Sequence, residues 1–274
     1  MNCFDEFKNS LESVPIRQFP WRQKITPYRI LVSEFMLQQT QTTRVIPKFN
    51  EWLNQLPTIK SVAKADTAVI LKLWQGLGYN RRALNLKRSC EIITSENQGV
   101  IPSERKSLEN LPGIGTYTAG AIRVFAYNDP AILLETNIRT VLIYHFFDYR
   151  NNTISIHDKE LHALLEQIIL QLDVDDYRKF YYQMMDYGVK LKETVGNLNQ
   201  HSATHTKQSK FSGSWREKRS LALKAILQKP TSVKSIASNL KITKASAKKI
   251  IDELETEGFI SQDNTNQDRY TITK

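Results

Sequence analysis

Cysteine is nearly missing from this 274-residue chain, which carries only Cys3 and Cys90. Two thiols exclude a disulfide framework, a four-cysteine zinc site and a four-thiolate iron–sulfur cluster. Long apolar runs are missing too. No stretch reaches the roughly 18 apolar residues of a membrane span, and Met1 to Gln18 mixes acids and amides without an apolar signal core. A soluble, intracellular protein, cytoplasmic or nucleoid-associated and away from membranes, is the expectation. Acidic residues are the minority charge: 28 Asp and Glu face 38 Lys and Arg, for a net charge of +10. That surplus favours a polyanionic partner, nucleic acid before membrane. What is present is a 41% hydrophobic share, enough for folded cores in one medium domain and one small one.

Helical spacing dominates the first two thirds of the chain. Thr26-Pro27 supplies a cap and first-turn proline before Tyr28–Leu37, and Asp66 precedes Thr67–Trp74. The same periodicity predicts helices over Val45–Gln55, Arg82–Glu96, Glu104–Leu111, Thr116–Ala126, Asn137–Phe147, His157–Leu172 and Tyr177–Lys192. An all-α, two-lobed body over residues 1–195 follows. From 196 to 213, Asn, Gln, His, Ser, Thr and Lys replace the apolar pattern and read as a linker or wrapping arm. Residues 214–274 predict helices over Trp215–Leu227, Val233–Leu240 and Lys244–Glu257, then a hairpin from Gly258 with Tyr270–Thr273 as its return strand. That order resembles a winged-helix domain, with Lys244 and Lys248 on the expected recognition helix as candidate DNA contacts, or else a basic protein-interaction face.

The stretch Ser33-Glu34-Phe35-Met36-Leu37-Gln38-Gln39-Thr40-Gln41-Thr42 sets one carboxylate among apolar helical residues and follows it with amides and hydroxyls. Burial penalises the charged form of Glu34, which suits a general acid; pairing with a buried Arg is the plain alternative. Leu111-Pro112-Gly113-Ile114-Gly115 lies between two helices, where its glycines can let backbone N–H groups approach a phosphate, or simply make a turn. Ala131-Ile132-Leu133-Leu134 then delivers Glu135 to a helix start, where the dipole and free N–H groups are expected to hold it ionised. Two carboxylates pushed apart in acidity suggest an acid and a charge stabiliser.

Taken together, these motifs resemble the helix-hairpin-helix base-excision DNA glycosylases, and within them the adenine mismatch glycosylases of the MutY type. The likeness covers roughly residues 15 to 190 and rests on Phe19-Pro20-Trp21-Arg22, Thr26-Pro27-Tyr28, the Ser33 stretch, Leu73-Trp74-Gln75-Gly76-Leu77-Gly78-Tyr79, the Leu111 hairpin, Thr118-Ala119-Gly120-Ala121-Ile122 and Asn137-Ile138-Arg139-Thr140-Val141. The resemblance implies that Glu34 protonates a flipped base, with Glu135, Asn137 and Tyr117 beside it in the catalytic set. It implies that Gln38, Gln39 and Tyr79 wedge into the base stack, that Trp21, Arg22 and Tyr182 belong to the base pocket, and that Gly113 and Gly115 grip phosphates. Tyr117 stands where bifunctional relatives place a lysine, so a monofunctional enzyme using water is implied.

Four departures accompany the resemblance. Glu135 stands where the family has an aspartate, longer by about 1.5 Å. Tyr182 replaces a Gln or Glu that reads the base edge, and one hydroxyl cannot reproduce an amide's donor and acceptor pair. Cluster thiolates after Gly188 give way to Lys190 and Lys192, so no cofactor and no metal are expected. The family's second domain, which reads oxidised guanine, gives way to the short C-terminal unit. The implied substrate is double-stranded DNA with a mismatched or damaged base, adenine opposite guanine or 8-oxoguanine first, bound by a monomer. Excision of thymine or uracil opposite guanine, and a catalytically lapsed DNA-binding protein, stay open.

Overall fold

Small polar side chains set many of the helix starts in the computed structural model, which describes residues 3–150, 155–203 and 210–273. In chain order the first helices are α1 (Cys3–Glu12), α2 (Pro20–Gln23), α3 (Pro27–Leu37), α4 (Thr42–Gln55), α5 (Ile59–Lys64), α6 (Thr67–Trp74), α7 (Arg81–Glu96) and α8 (Arg105–Glu109). They are followed by α9 (Thr116–Ile122), α10 (Thr136–Phe146), α11 (Asp158–Gln171), α12 (Tyr177–Val195), α13 (Trp215–Gln228), α14 (Val233–Leu240) and α15 (Lys244–Thr256). Thr58 and Ser61 form a reciprocal capping box on α5, Glu135 caps α10, and Ser214, Ser232 and Thr243 cap α13, α14 and α15. The body is mostly helical, as the periodicity predicts.

Differences from the sequence reading are local. α1, α2 and α5 are short helices that the periodicity did not reveal. The helix expected over Thr116–Ala126 is α-helical to Ile122 and then widens into a π turn over Arg123–Tyr127, closed by left-handed Asn128. The Arg178 side chain donates to the Phe125 and Ala126 carbonyls that this turn frees. The helix expected to reach Leu111 stops at Glu109, before the Pro112 turn.

The chain divides into two compact units. The first holds residues 1–31, 102–110 and 114–207. Its centre is α10 against α12. Gly188 on α12 makes the approach possible, since a Cβ there would lie 2.2 Å from the Asn137 carbonyl oxygen. α1 covers this pair through Phe7, whose ring meets His145 and Phe146 at 5.5 Å each. Part of the stretch read as a linker is folded here. A 3₁₀ turn at Leu198–His201 carries buried Asn199, which donates to the Thr136 carbonyl and the Thr140 hydroxyl at 3.0 Å each. Residues 204–209 of that stretch lie outside the described residues.

The second unit holds residues 32–101, 111–113 and 208–274. Trp52 and Trp74 meet edge to face at 5.7 Å in the core of its N-terminal part, with Phe49, Val62, Ile70 and Leu86 fully buried around them. In the C-terminal part, α13, α14 and α15 bury Leu223, Ile226, Ile236, Ile250, Ile251 and Leu254. Strands β1 (Thr231–Ser232), β2 (Ile260–Asp263) and β3 (Asn266–Ile272) form an antiparallel sheet in the order β1-β3-β2, with Thr231 opposite Tyr270 and Ile260 opposite Ile272. Strand β1 adds a third member to the expected hairpin.

Candidate active site

Glu135 is built into the first unit by its neighbours on both sides. Upstream, the hydroxyl of buried Tyr181 donates to the Ala131 carbonyl at 2.8 Å and accepts from the Leu133 amide at 3.0 Å, fixing the extended run that ends at Glu135. Downstream, the Glu135 carboxylate accepts from the amides of Asn137 and Ile138 at 2.9 and 3.0 Å. It also accepts from the Thr136 hydroxyl and the Asn137 side-chain amide, both at 3.1 Å. Asn137 thus holds Glu135 through both its backbone and its side-chain amide. The expectation that the helix start holds Glu135 ionised needs correction. Burial pushes its pKa up, and the four donors pull against that push without cancelling it. Tyr117, on α9 of the same unit, is 38% exposed.

Trp21, Arg22 and Tyr182 also come together in the first unit. The Arg22 guanidinium lies 4.1 Å from the Tyr182 ring centre and 4.9 Å from that of Phe19. Phe19 stacks on Trp21 at 5.1 Å, and Tyr182 stacks on Phe125 at 4.9 Å. The organiser is Asp186, one turn beyond Tyr182 on α12. Its carboxylate, 2% exposed, accepts from Arg22 Nη1 at 2.7 Å and from Arg17 through its backbone amide and guanidinium. Sequence reasoning missed Asp186; the available signal was an acid at helical spacing from Tyr182, on the buried face of α12.

In the second unit, Glu34 sits half-buried on α3 between fully buried Ser33 and Phe35. Beyond it the helix ends in a tight turn where Gln39 takes φ 54°. Tyr79 takes φ 47° in a second loop and is 39% exposed. One side chain holds both loops. Arg82 Nη1 donates to the carbonyls of Phe35, Met36 and Gln38 at 2.8, 3.0 and 2.5 Å. Its Nη2 donates to the Thr40 hydroxyl and to the Leu77 and Gly78 carbonyls at 2.9, 3.1 and 3.0 Å. Burial brings the Arg82 pKa down to about 10, which leaves it a cation at neutral pH. Sequence reasoning missed Arg82 as well. The signal was a cation at the first position of the buried face running through Leu86, Cys90 and Ile93 on α7.

The hairpin glycines differ from each other. Gly113 has φ 79°, and a Cβ there would press to 2.8 Å on Asn85. Its carbonyl accepts from Gln38 Nε2 at 3.3 Å, and the Pro112 carbonyl accepts from Ser89 at 2.9 Å. Gly115 has open space where a Cβ would point, so a ligand can approach its backbone closely. On α15, Lys244 is exposed in the first turn, whereas Lys248 pairs with Asp252 one turn on. This pairing reduces the cationic character expected of that helix face. Four thiolate ligands for an iron–sulfur cluster do not exist here: Cys3 is exposed on α1, and Cys90 is buried on α7 with its thiol pushed up to about 12. Among the described residues, no group of three or more His, Cys, Asp or Glu side chains forms a metal site. No helix among them is long and apolar enough to cross a membrane.

Comparison with known proteins gives a consistent picture. The family model described as HhH-GPD superfamily base excision DNA repair protein matches residues 32–168. An adenine DNA glycosylase of Mycobacterium tuberculosis is 42% identical over 127 residues, covering 46% of this chain and 42% of that protein. An adenine DNA glycosylase of Buchnera aphidicola is 35% identical over 173 residues, 63% of this chain and 48% of that protein. The chain therefore spans less than half the length of these curated relatives. The solved structure of a thermostable thymine-DNA glycosylase aligns with a TM-score of 0.56 at 24% identity, over 68% of this chain and 83% of that one. At that identity the likeness shows the fold alone.

Proposed function

The chain belongs to the HhH-GPD superfamily of base excision DNA repair proteins, and from this premise we propose that it is a monofunctional DNA glycosylase releasing adenine mispaired with guanine or 8-oxoguanine. One observation carries the reading: the turn directly after the helix of Glu34, bearing Gln38 and Gln39, and the loop after α6, bearing Tyr79, are held by a single buried guanidinium, with Gln39 and Tyr79 in left-handed conformations. Such loops are rigid enough to enter a base stack and hold the gap that a flipped nucleotide leaves. Glu34 gives its proton to the base, the N-glycosidic electron pair leaves with the base, and positive charge develops on the sugar. Water then adds to that sugar and gives up its proton, which completes the hydrolysis. Tyr117 brings no amine, so the product is an abasic site and no Schiff base forms.

The enzyme works as a monomer on duplex DNA. It requires neither metal nor iron–sulfur cluster, and Lys244 of the winged-helix-like C-terminal part adds a second phosphate contact. Duplexes containing A·8-oxoguanine, A·G, T·G and U·G pairs, incubated with the protein and developed with hot alkali, test the substrate. The expected outcome is alkali-dependent cleavage at adenine alone, with no adduct trapped by borohydride. Cleavage confined to T·G and U·G would replace adenine by a pyrimidine, and a trapped adduct would contradict the role given to Tyr117.

A further inference from the structure

Beyond α12, in the first unit, the chain turns back onto the start of α10, where Glu135 is held. Asn199 makes the contact. Its side-chain Nδ2, on a residue 5% exposed, donates to the Thr136 carbonyl and to the Thr140 hydroxyl, and that hydroxyl donates to the same carbonyl at 2.8 Å. The three groups close a triangle beside the carboxylate. Thr136 works in two directions, since its hydroxyl donates to Glu135 at 3.1 Å while its carbonyl accepts from Asn199. Displacing Thr136 therefore displaces a donor of Glu135.

Asn199 is itself held from several sides. Its backbone amide donates to Asn197 Oδ1 at 3.3 Å, and its own Oδ1 accepts from Arg139 Nη1 at 3.4 Å. Arg139 in turn is fixed by Asp158, through Nε at 3.1 Å and Nη2 at 3.0 Å. Further along, the Ile156 amide donates to the His201 carbonyl at 2.8 Å, and the Ala203 amide to the Ile156 carbonyl at 2.9 Å. The segment is thus tied down on both sides of Asn199. Its amide does not serve as a helix cap, because Glu135 already takes the first amides of α10. It fixes instead where the first turn lies. A misplacement of about 1 Å can cost a catalytic group on the order of a hundredfold in rate.

We propose that Asn199 is a positioning residue for Glu135, acting through Thr136, and that residues 196–203 are by this route part of the machinery of base release. This assignment rests on the base-release reading above, with Glu135 in the catalytic set that the resemblance implies.

Two neutral variants of nearly unchanged shape test it. N199L removes the amide, and T140V removes the hydroxyl that completes the triangle. NMR of carboxyl-labelled glutamate follows the titration of Glu135, assigned by its loss in E135Q. The Glu135 titration is expected to move to higher pH in N199L, and less far in T140V, as donors to the charged form are lost. Single-turnover base release by N199L should be slower by about thirtyfold, with duplex affinity kept within about twofold. L11A, which truncates a buried side chain of α1, should leave the Glu135 titration in place. An unmoved Glu135 titration in both variants, with thermal melts showing them folded, would overturn the proposal. Base release by both at the wild-type rate would overturn it as well. A shifted titration in N199L, with no base released from any mispair by wild type, would sink the base-release reading and keep Asn199 as the residue that positions Glu135.

Discussion

Arg82 in the second unit and Arg22 in the first are both deeply buried, yet they are satisfied by different partners. Arg82 spends its hydrogen bonds on five main-chain carbonyls and one hydroxyl. Arg22 has the carboxylate of Asp186, the faces of Phe19 and Tyr182, and one main-chain carbonyl, that of Arg17 at 3.3 Å. A cation held by carbonyls fixes the course of the chain, because each carbonyl belongs to a particular backbone conformation. A cation held by a carboxylate and rings fixes side chains, and the backbone keeps its helical hydrogen bonds if the pair is lost. The second unit therefore depends on Arg82 for the shape of its loops, and the first depends on Asp186 for the order of an aromatic cluster.

Removing Arg82 is the strongest way to break this contrast. R82A leaves several buried carbonyls without donors, and urea titration is expected to show a loss of about 3–5 kcal/mol. R82K should recover only part of it, since an ammonium cannot reach both loops with a planar fork. D186N removes the charge and keeps an acceptor oxygen. A loss of about 2–3 kcal/mol is expected, discounted for the 40% exposure of the Arg17 side chain. Equal losses from R82A and D186N would erase the distinction between the two anchors.

Glu135 sharpens the contrast from another direction, because its four donors are all neutral. A carboxyl whose folded value is raised contributes stability that is complete below its unfolded value, about 4.3, and lost as pH rises through the folded value. Wild type should therefore lose stability relative to E135Q as pH climbs from 4 to 7. An opposite slope in thermal melts would mean that the donors outweigh burial. The smallest effect concerns the thiols. Cys90, buried and with its pKa pushed up to about 12, should resist a thiol reagent that modifies exposed Cys3. Because Cys90 lies two turns beyond Arg82 on the same buried face of α7, its labelling in R82A should report local opening.

Periodic elements were legible before the structure: α6 and α14 match their predicted bounds, and α10, α13 and α15 differ by one residue. Short helices such as α2, started by Pro20 and only four residues long, carry too few turns for periodicity to register. Candidate site residues with distinctive local chemistry, such as Glu135 beside Asn137, were legible as well. Asp186 and Arg82 were not, because their importance lies in partners 164 and 44 to 47 residues away along the chain, which no local pattern encodes. The direction of the push on Glu135 was misread for a related reason: the helix start is visible in sequence, and the burial around it is not.

Single-turnover base release from an A·8-oxoguanine duplex, by wild type and by E34Q, tests the acid chemistry most directly. Wild type should produce alkali-labile sites, and E34Q should bind the same duplex yet release adenine slower by about a hundredfold or more. Release by E34Q at the wild-type rate would contradict the role of Glu34 as the acid.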